Sequence, residues 1–258
     1  MMKKNRHEKS QVKSKMRADW NLRANDNPIY AIDSTKVNQS LLEFFDHGKE
    51  IVSAALDPTL QRLNINPESL RVLEIGCGIG RLFEGLSMRF GEVWGIDVSQ
   101  AMIDLGERSC PVEAKWILGD GSSLDGIPSN SIDYVFSWEV FQHIPDQSII
   151  EDYFHEIYRV LLPGAVFQVQ LRKGSDRFGQ SVFRKFPRPL RVAAGKILQR
   201  FGQLPVKGDV DTWLGIRIPA ESALSMARTM NFTECQIQED EIHPAGLGYW
   251  LVGKKPLS

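Results

Sequence analysis

Short apolar runs alternate with amphipathic segments through the middle of the chain. The apolar runs have the length of buried strands and lie at 71–75, 92–97, 115–119, 132–137 and 165–171. Segments with apolar residues at helical spacing lie between them, at 80–89, 99–108 and 148–161. Strands that alternate with helices form a parallel sheet with helices on both faces, and ligands bind at the carboxyl ends of the strands. The pattern therefore predicts an α/β fold.

The segments that flank this core differ from it in pattern. Residues 1–16 are polar and charged, and we predict that they are disordered. A short helix from Met16 is expected to end near Pro28, because the residue before a proline avoids the helical region. A second helix is expected over 37–56. Pro163-Gly164 is expected to end the helix at 148–161, and the last elements are predicted as a helix at 219–230 and strands at 232–242 and 247–253.

A glycine-rich turn follows the first strand and reads Glu74-x-Gly76-Cys77-Gly78-x-Gly80. Glycines at alternate positions allow positive φ and let a ligand lie against the main chain. A helix that began at Arg81 would point its free N–H groups into the same gap. The third glycine of a dinucleotide fingerprint would fall on Arg81, and no Gly-Lys-Ser/Thr follows. The turn predicts a nucleotide-type cofactor that is not bound in either of those ways.

Acidic residues end the next two strands. Asp97 at the end of the second strand is placed to accept hydrogen bonds from ribose hydroxyls. Asp120-Gly121 follows the third strand, and the fourth strand leads through Trp138-Glu139 to His143-Ile-Pro-Asp. Together with the glycine turn, these motifs resemble the class I S-adenosylmethionine (SAM) methyltransferases, in their small-molecule branch of methyltransferase type 11/12. The resemblance is strong over residues 70–171 and looser over the last forty.

The resemblance implies the rest of the architecture. It implies a seven-stranded, mostly parallel sheet with an N-terminal helical cap and a helical lid inserted after strand five. The implied units are a tail and cap at 1–60, a SAM-binding core at 61–171, a basic lid at 172–217, and a final helix and hairpin at 218–258.

The resemblance also implies which residues hold the cofactor, SAM, and its product S-adenosylhomocysteine. In this family an acid at the position of Asp120 accepts from the adenine amino group, and the adenine-stacking position falls near Val98 and Met102. The cap contributes Trp20 and Arg23 as candidates, with Tyr30 beside them. The remaining cofactor candidates are Glu74, Gly76, Cys77, Gly78, Gly80, Arg81, Asp97, Gly121 and Trp138.

The reaction of the family is an in-line attack on the sulfonium methyl, so the protein mainly supplies proximity and alignment. Where a hydroxyl must lose a proton, His143 is the candidate general base, because histidine changes charge near neutrality. Glu139 is a candidate to orient His143 or the amino group of the cofactor. His243 is a remote second base, whereas His47 and His155 are interpreted as structural. No aspartate cluster calls for a metal.

Basic residues cluster in two segments although the formal net charge is only −1. These segments lie at 3–17 and 172–207 and favour an anionic partner, although a solvated basic face without a partner has the same pattern. Residues 188–201 read as a short basic amphipathic helix, which suits a lid over the site or an acidic membrane surface.

Composition places few further limits on the protein. No apolar run reaches the roughly 18 residues of a membrane span, and the charged N-terminus lacks the apolar core of a secretory signal. Cys77, Cys110 and Cys235 are scattered without zinc spacing, which suits a reducing cytoplasm. We expect a cytoplasmic protein whose basic lid would allow contact with the inner face of a membrane.

The expected function is methyl transfer to a small-molecule or glycan acceptor, at a hydroxyl of an anionic sugar or glycolipid. An RNA-directed methyltransferase is the first alternative, although the basic segments lack the interleaved aromatic residues of a stacking platform. A noncatalytic SAM-binding partner protein is the second. The residues after the fourth strand, Ser137-Trp138-Glu139-Val140, differ from the Asn/Asp-Pro-Pro-aromatic motif of enzymes that methylate base amino groups.

Overall fold

The computed structural model describes residues 2–34, 38–174, 190, 212, 215–242 and 248–257. The strands within these ranges are β1 Arg71–Ile75, β2 Glu92–Asp97, β3 Lys115–Leu118, β4 Ile132–Ser137, β5 Leu161–Arg172, β6 Thr233–Glu239 and β7 Gly248–Lys254. The α-helices are α1 Met2–Asp26, α2 Pro28–Ile32, α3 Leu41–Arg62, α4 Phe83–Ser87, α5 Gln100–Ser109, α6 Gln147–Val160 and α7 Ala220–Thr229. The predicted alternation of strands and helices is confirmed, and most strand limits agree within a few residues.

The described strands form one seven-stranded sheet in the order β3-β2-β1-β4-β5-β7-β6. All neighbours are parallel except β7, which is antiparallel to both β5 and β6. Ile75 pairs with Ile96, and Asp97 pairs with Leu118, so β1, β2 and β3 end at the same edge. The strand order reverses between β1 and β4, which is where ligands bind in open α/β sheets.

Apolar side chains cover both faces of the sheet. On one face, Phe154 of α6 packs edge-to-face on Phe167 of β5, and Phe232 packs on the same ring. On the other face, Phe136 of β4 stacks on Trp250 of β7 and belongs to the same buried cluster as Leu56 of α3. The sheet is therefore a rigid central layer that fixes the positions of its strand tips.

The prediction that residues 1–16 are disordered is wrong. Helix α1 is continuous from Met2 to Asp26. Val12 and Met16 lie one turn apart and pack against the core, and Lys9 Nζ lies 2.8 Å from Asp152 Oδ2 of α6. Contacts with distant parts of the chain thus hold a helix that its own polar sequence does not predict.

Further boundaries differ from the predictions. The helix expected over 37–56 is α3, Leu41–Arg62, which begins after the capping residue Ser40. The helix expected from Arg81 begins at Phe83, because the left-handed glycines before it form turns, in which Phe83 N donates to Gly80 O at 3.0 Å. Strand β5 begins at Leu161, before Pro163-Gly164 and not after it, because Leu161 already pairs with Ile132 of β4.

The expected lid at 172–217, its helix at 188–201 and the turn with His243, Pro244 and Gly246 lie wholly or mostly outside the described residues. Among the helices that the structure describes, none combines the length and the apolar character needed to cross a membrane.

Candidate cofactor and acceptor site

The glycine turn after β1 has the expected backbone. Gly76, Gly78 and Gly80 have φ values of 75°, 54° and 79°, which favour glycine. A Cβ at Gly76 would lie 2.4 Å from Val140 Cγ2, and one at Gly78 would lie 2.8 Å from Ile32 Cδ1. The turn therefore packs directly against the segment after β4 on one side and against the cap on the other.

Asp97 at the end of β2 is tied to this turn. Its Oδ2 accepts a hydrogen bond from Gly78 N at 2.9 Å, and its Oδ1 accepts one from Ser99 N at 2.8 Å. Burial raises the pKa of this carboxyl, and the backbone N–H groups oppose that effect. Each carboxylate oxygen has a second lone pair for a ligand hydroxyl, so the geometry fits the predicted contact with ribose.

A cavity of ≈ 900 Å³, a volume that includes its open mouth, lies between the strand tips and the N-terminal helices. Pockets for small molecules and cofactors have volumes of roughly 300–1,000 Å³. Most of the predicted site residues line it, namely Trp20, Glu74, Gly76, Cys77, Gly78, Arg81, Asp97, Val98, Met102, Trp138 and His143. The structure thus brings together residues that are spread over more than a hundred positions of the sequence.

Buried polar atoms in the cavity wall lack hydrogen-bond partners within the described part of the chain. They are Glu74 Oε2, Trp138 Nε1 and Arg81 Nε. Burial, with the charge of Asp97 in addition, raises the pKa of Glu74 well above its usual range, while Arg81 opposes this. A buried polar group without a partner is costly. The wall therefore offers one acceptor and two donors to a ligand that carries both kinds of group, as the methionine part of SAM does.

Glu139 lines the same cavity on a backbone that is unusual for a residue with a side chain. Its φ is 57°, and its N–H donates to Gln170 Oε1 at 2.8 Å. Gln170 Nε2 in turn donates to Asp240 Oδ2 at 2.6 Å. Burial raises the pKa of Glu139 to about 7, although Arg81 opposes the shift. Strained backbone of this kind is concentrated at functional sites.

His143 lies in a short 3-10 turn at Phe141–His143 and borders the cavity. Its ring contacts the ring of Trp20 edge-on, with centroids 5.4 Å apart. The guanidinium of Arg23, three positions later in α1, lies 4.7 Å from the centroid of the Trp20 ring. The cap thus supplies one wall of the space in front of the candidate base.

Some predicted cofactor residues do not line the cavity. Arg23 is 1% exposed, donates to Thr212 Oγ1 at 2.9 Å, and its pKa is lowered by burial to about 10, so it supports Trp20 from behind. A Cβ at Gly80 would meet Trp116 at 2.7 Å, so this glycine serves packing. Gly121 and Tyr30 are also absent from the walls.

Asp120 has a different partner from the one predicted. Its carboxylate pairs with Lys13 of α1 and accepts from Ser122 N at 2.8 Å and Ser123 N at 2.7 Å. Burial disfavours its charge, but these hydrogen bonds outweigh burial and lower its pKa. In this arrangement Asp120 anchors α1 outside the cavity walls, and its contact with adenine stays a prediction.

The sequence reasoning missed several apolar wall residues, which are Met16, Ala31, Ile32, Leu82, Ile96, Val140, Ile144 and Tyr153. Met16 lies one helical turn before Trp20 in the helix predicted from Met16, so its place on the same side of that helix could have been inferred from the sequence. Tyr153 comes from the buried face of α6, which continues the stripe begun by Ile149. Within the described ranges no group of three His, Cys, Asp or Glu residues could hold a metal ion. His243 lies outside those ranges.

Comparison with known proteins agrees with this geometry. A family model described as "Methyltransferase domain" matches residues 72–164. The biotin biosynthesis bifunctional protein BioHC of Cellvibrio japonicus is 30% identical over 137 residues, which are 52% of this chain and 26% of that protein. Trans-aconitate 2-methyltransferase of Azoarcus sp. is 28% identical over 154 residues, which are 59% of this chain and 56% of that enzyme. Both matches span less than two thirds of the relative.

Solved structures share the fold at low sequence identity. Magnesium protoporphyrin IX methyltransferase from Synechocystis, with bound S-adenosylhomocysteine, superposes with a TM-score of 0.59 at 14% identity, over 95% of this chain and 99% of that chain. A SAM-dependent methyltransferase from Methanosarcina mazei superposes with a TM-score of 0.56 at 20% identity, over 79% and 99%. Residues 72–164 of this chain thus match a methyltransferase domain, and the described strands have the fold of solved SAM-dependent methyltransferases.

Proposed function

We propose that the cavity holds SAM and that the chain methylates a hydroxyl of a small-molecule or glycan acceptor. The observation that supports this most is the position of His143, which borders the cavity beside the cofactor residues and faces the Trp20 wall. When bound, SAM supplies a methyl group already activated on a sulfonium. The task left to the protein is to hold both partners and to accept a proton.

The residues proposed to hold SAM contact different parts of the molecule. Asp97 accepts from the ribose hydroxyls, and Val98 and Met102 pack against the adenine. Glu74 accepts from the amino group of the methionine part, while Arg81 and Trp138 donate to its carboxylate. Each of these side chains lies in the cavity wall, and Glu74, Arg81 and Trp138 would use the buried atoms that lack a partner among the described residues.

With SAM bound, transfer would break its bond between sulfur and the methyl carbon as the acceptor oxygen bonds that carbon, and would leave S-adenosylhomocysteine. His143 is proposed to take the proton that the acceptor hydroxyl loses. Neutral imidazole has one nitrogen that accepts and one that donates. The contact with Trp20 restricts the ring to one side of the cavity. General-base assistance of this kind contributes about 10²–10⁴-fold to the rate.

The acceptor is proposed to be anionic, as a hydroxyl on an acidic sugar or glycolipid would be. Arg172 opens the basic segment at the end of β5, and its charge acts to lower the pKa of Glu139 in the cavity wall. The relative from Azoarcus is named for aconitate, which is a carboxylate. A positive charge near the mouth of the cavity would favour such acceptors.

The experiment that tests the acceptor class uses methyl-labelled SAM and a cell extract separated into lipid, glycan, small-molecule and RNA pools. Label in the glycan, lipid or small-molecule pool supports the proposal, and label in the RNA pool contradicts it. Protein that binds SAM and labels none of the pools would instead be a noncatalytic SAM-binding protein.

The role of His143 is tested separately with the labelled acceptor. His143→Ala is expected to lower kcat by about 100-fold or more and to leave the Kd for SAM within about twofold. His155→Ala on the exposed side of α6 is the matched control and is expected to behave like the wild type. Normal turnover of His143→Ala across the pH range would contradict its role as a base.

A further inference from the structure

Arg81 is held in the cavity wall by two residues that come from the cap. Its Nη2 donates to Asp33 Oδ2 at 2.7 Å and lies 2.8 Å from His47 Nδ1. His47 Nδ1 also lies 2.9 Å from Asp33 Oδ2. The imidazole nitrogen therefore donates to the carboxylate or accepts from the guanidinium, according to its tautomer.

In the cluster of Asp33, His47 and Arg81, the two charged partners Asp33 and Arg81 are shielded from solvent, whereas His47 is partly exposed. Asp33 is 2% exposed and Arg81 is 4% exposed. The guanidinium lies 5.4 Å from the ring centroids of both Phe44 and Trp138. Burial lowers the pKa of Arg81, and Asp33 opposes this shift. A buried guanidinium needs a charged partner to remain in such a place.

The backbone of Arg81 is fixed from the same side. A Cβ at Gly48 of α3 would lie 1.9 Å from the carbonyl oxygen of Arg81, so the helix touches the cofactor turn without an intervening side chain. His47 precedes this contact and Asp33 caps the end of α2, whose Ala31 and Ile32 line the cavity. Side chain and main chain of Arg81 are thus located by the cap.

We propose that Asp33 and His47 are positioning residues of the cofactor site, which act through Arg81. They neutralise the buried guanidinium and orient its fork, so that its remaining N–H groups face the cavity. This inference rests on the proposed binding of SAM there. It assigns a function to two residues of the cap, one of which the sequence suggested to be only structural.

The test is a double-mutant cycle on SAM binding by isothermal titration calorimetry. Asp33→Asn is expected to raise the Kd for SAM about tenfold, a loss of roughly 1.4 kcal/mol, while kcat at saturating SAM changes less than twofold. In an Arg81→Met background, the added Asp33→Asn is expected to change the Kd less than twofold. His47→Leu is expected to raise the Kd as well, and His47→Asn, which keeps a polar atom near Nδ1, to restore much of the affinity.

A structural control distinguishes positioning from general loosening of the cap. Asp57→Asn breaks another ion pair of α3, with Arg89 after α4, and is expected to lower the Tm without changing the Kd. The inference would be overturned if Asp33→Asn left the Kd for SAM unchanged, or if it raised the Kd equally with Arg81 and with Met at position 81. Binding of SAM by the wild-type protein would still support the proposed site in that case. Wild-type protein that binds no SAM would overturn both.

Discussion

At the scale of single residues, Glu139 combines burial, a left-handed backbone and a place in the cavity wall. Arg81 and Arg172 favour its charged form, whereas Asp33 and Asp240 disfavour it, and burial exceeds all of these. Its pKa of about 7 means that it exchanges a proton in the range where the protein is expected to work. A ligand that brings a charge into the cavity would therefore change the protonation of Glu139.

Glu139→Gln is expected to stabilise the protein at high pH. The folded pKa of about 7 lies above the ordinary value of 4.5, so wild-type stability falls as pH rises between these values. Above pH 7 the variant avoids a penalty of up to ~3 kcal/mol, and near pH 5 the difference is small. Urea unfolding of the variant and the wild type at pH 5 and pH 8 measures this difference in the free energy of unfolding.

The matched control for this prediction is Glu107→Gln on the exposed side of α5. It is expected to leave the pH dependence of stability unchanged. If Glu139→Gln and the wild type showed the same pH dependence, the buried carboxyl would not be titrating in this range.

The sequence predicted which residues line the cavity where their position in the fold alone decides this. Asp97 and the glycines lie at strand tips, and parallel strands bring their tips to one edge. The contacts of Asp120 and Arg23 show what the sequence alone did not predict. Their side chains meet Lys13 and Thr212, from parts of the chain about a hundred positions or more away. Local sequence does not encode such partners.

At the scale of elements, α1 is the helix that closes the cavity. Lys9 and Lys13 pair with Asp152 and Asp120, and Arg17 Nη2 donates to Gly119 O at 3.2 Å. Each basic residue is four positions from the next, so the three lie along one side of the helix. Part of the basic N-terminal segment is thus used within the molecule and not by an external partner.

Lys13→Met is expected to loosen α1 from the core. The pair with Asp120 is partly exposed, so its loss should cost about 0.5–1 kcal/mol in the hydrogen-exchange protection of α1 at pH 7. Because the folded pKa of Asp120 is lowered, the contribution exists above the ordinary aspartate value of 3.8 and is lost as pH falls through the folded pKa.

Gln11→Met, on the exposed side of α1, is the control and should keep wild-type protection. Identical protection of α1 in wild type and Lys13→Met would mean that packing of Val12 and Met16 alone holds the helix.

Strands were easier to predict than helices for a physical reason. β1, β2 and β4 are rich in apolar residues and mostly buried, and their predicted limits agree with the structure. The start of α4 depends on the turns made by Gly76, Gly78 and Gly80, whose geometry the helical pattern does not contain. The length of α1 depends on ion pairs with distant residues. Sequence patterns thus locate elements whose own apolar residues are buried, and miss the limits of elements that depend on contacts with other parts of the chain.

At the scale of the whole molecule, the candidate site lies between two layers of the fold. The strand tips form its base, and α1 and α2 form its cover. A ligand that contacts both layers stabilises both, by RT ln(1 + [L]/Kd), or roughly 2.7 kcal/mol at a hundred times Kd.

Hydrogen exchange with S-adenosylhomocysteine at this concentration tests that arrangement. Protection is expected to rise in α1, in α2 and in the turn at Gly76–Gly80, because the ligand joins them. The β6 edge of the sheet, far from the cavity, is expected to show only the general increase in stability. Protection confined to the strand tips would indicate that the cap does not cover the ligand.

The position of β7 has a consequence for synthesis. This strand comes after β6 in the chain, yet it lies between β5 and β6 in the sheet. A nascent chain that has not yet released residues 248–254 from the ribosome leaves one edge of β5 unpaired, and β6 has no other partner among the described strands. The apolar side chains of Phe167 and Leu171 on β5 would meanwhile lack part of their cover, and an open strand edge invites pairing with other chains. We therefore expect chaperone dependence during translation to end only when this inner strand emerges.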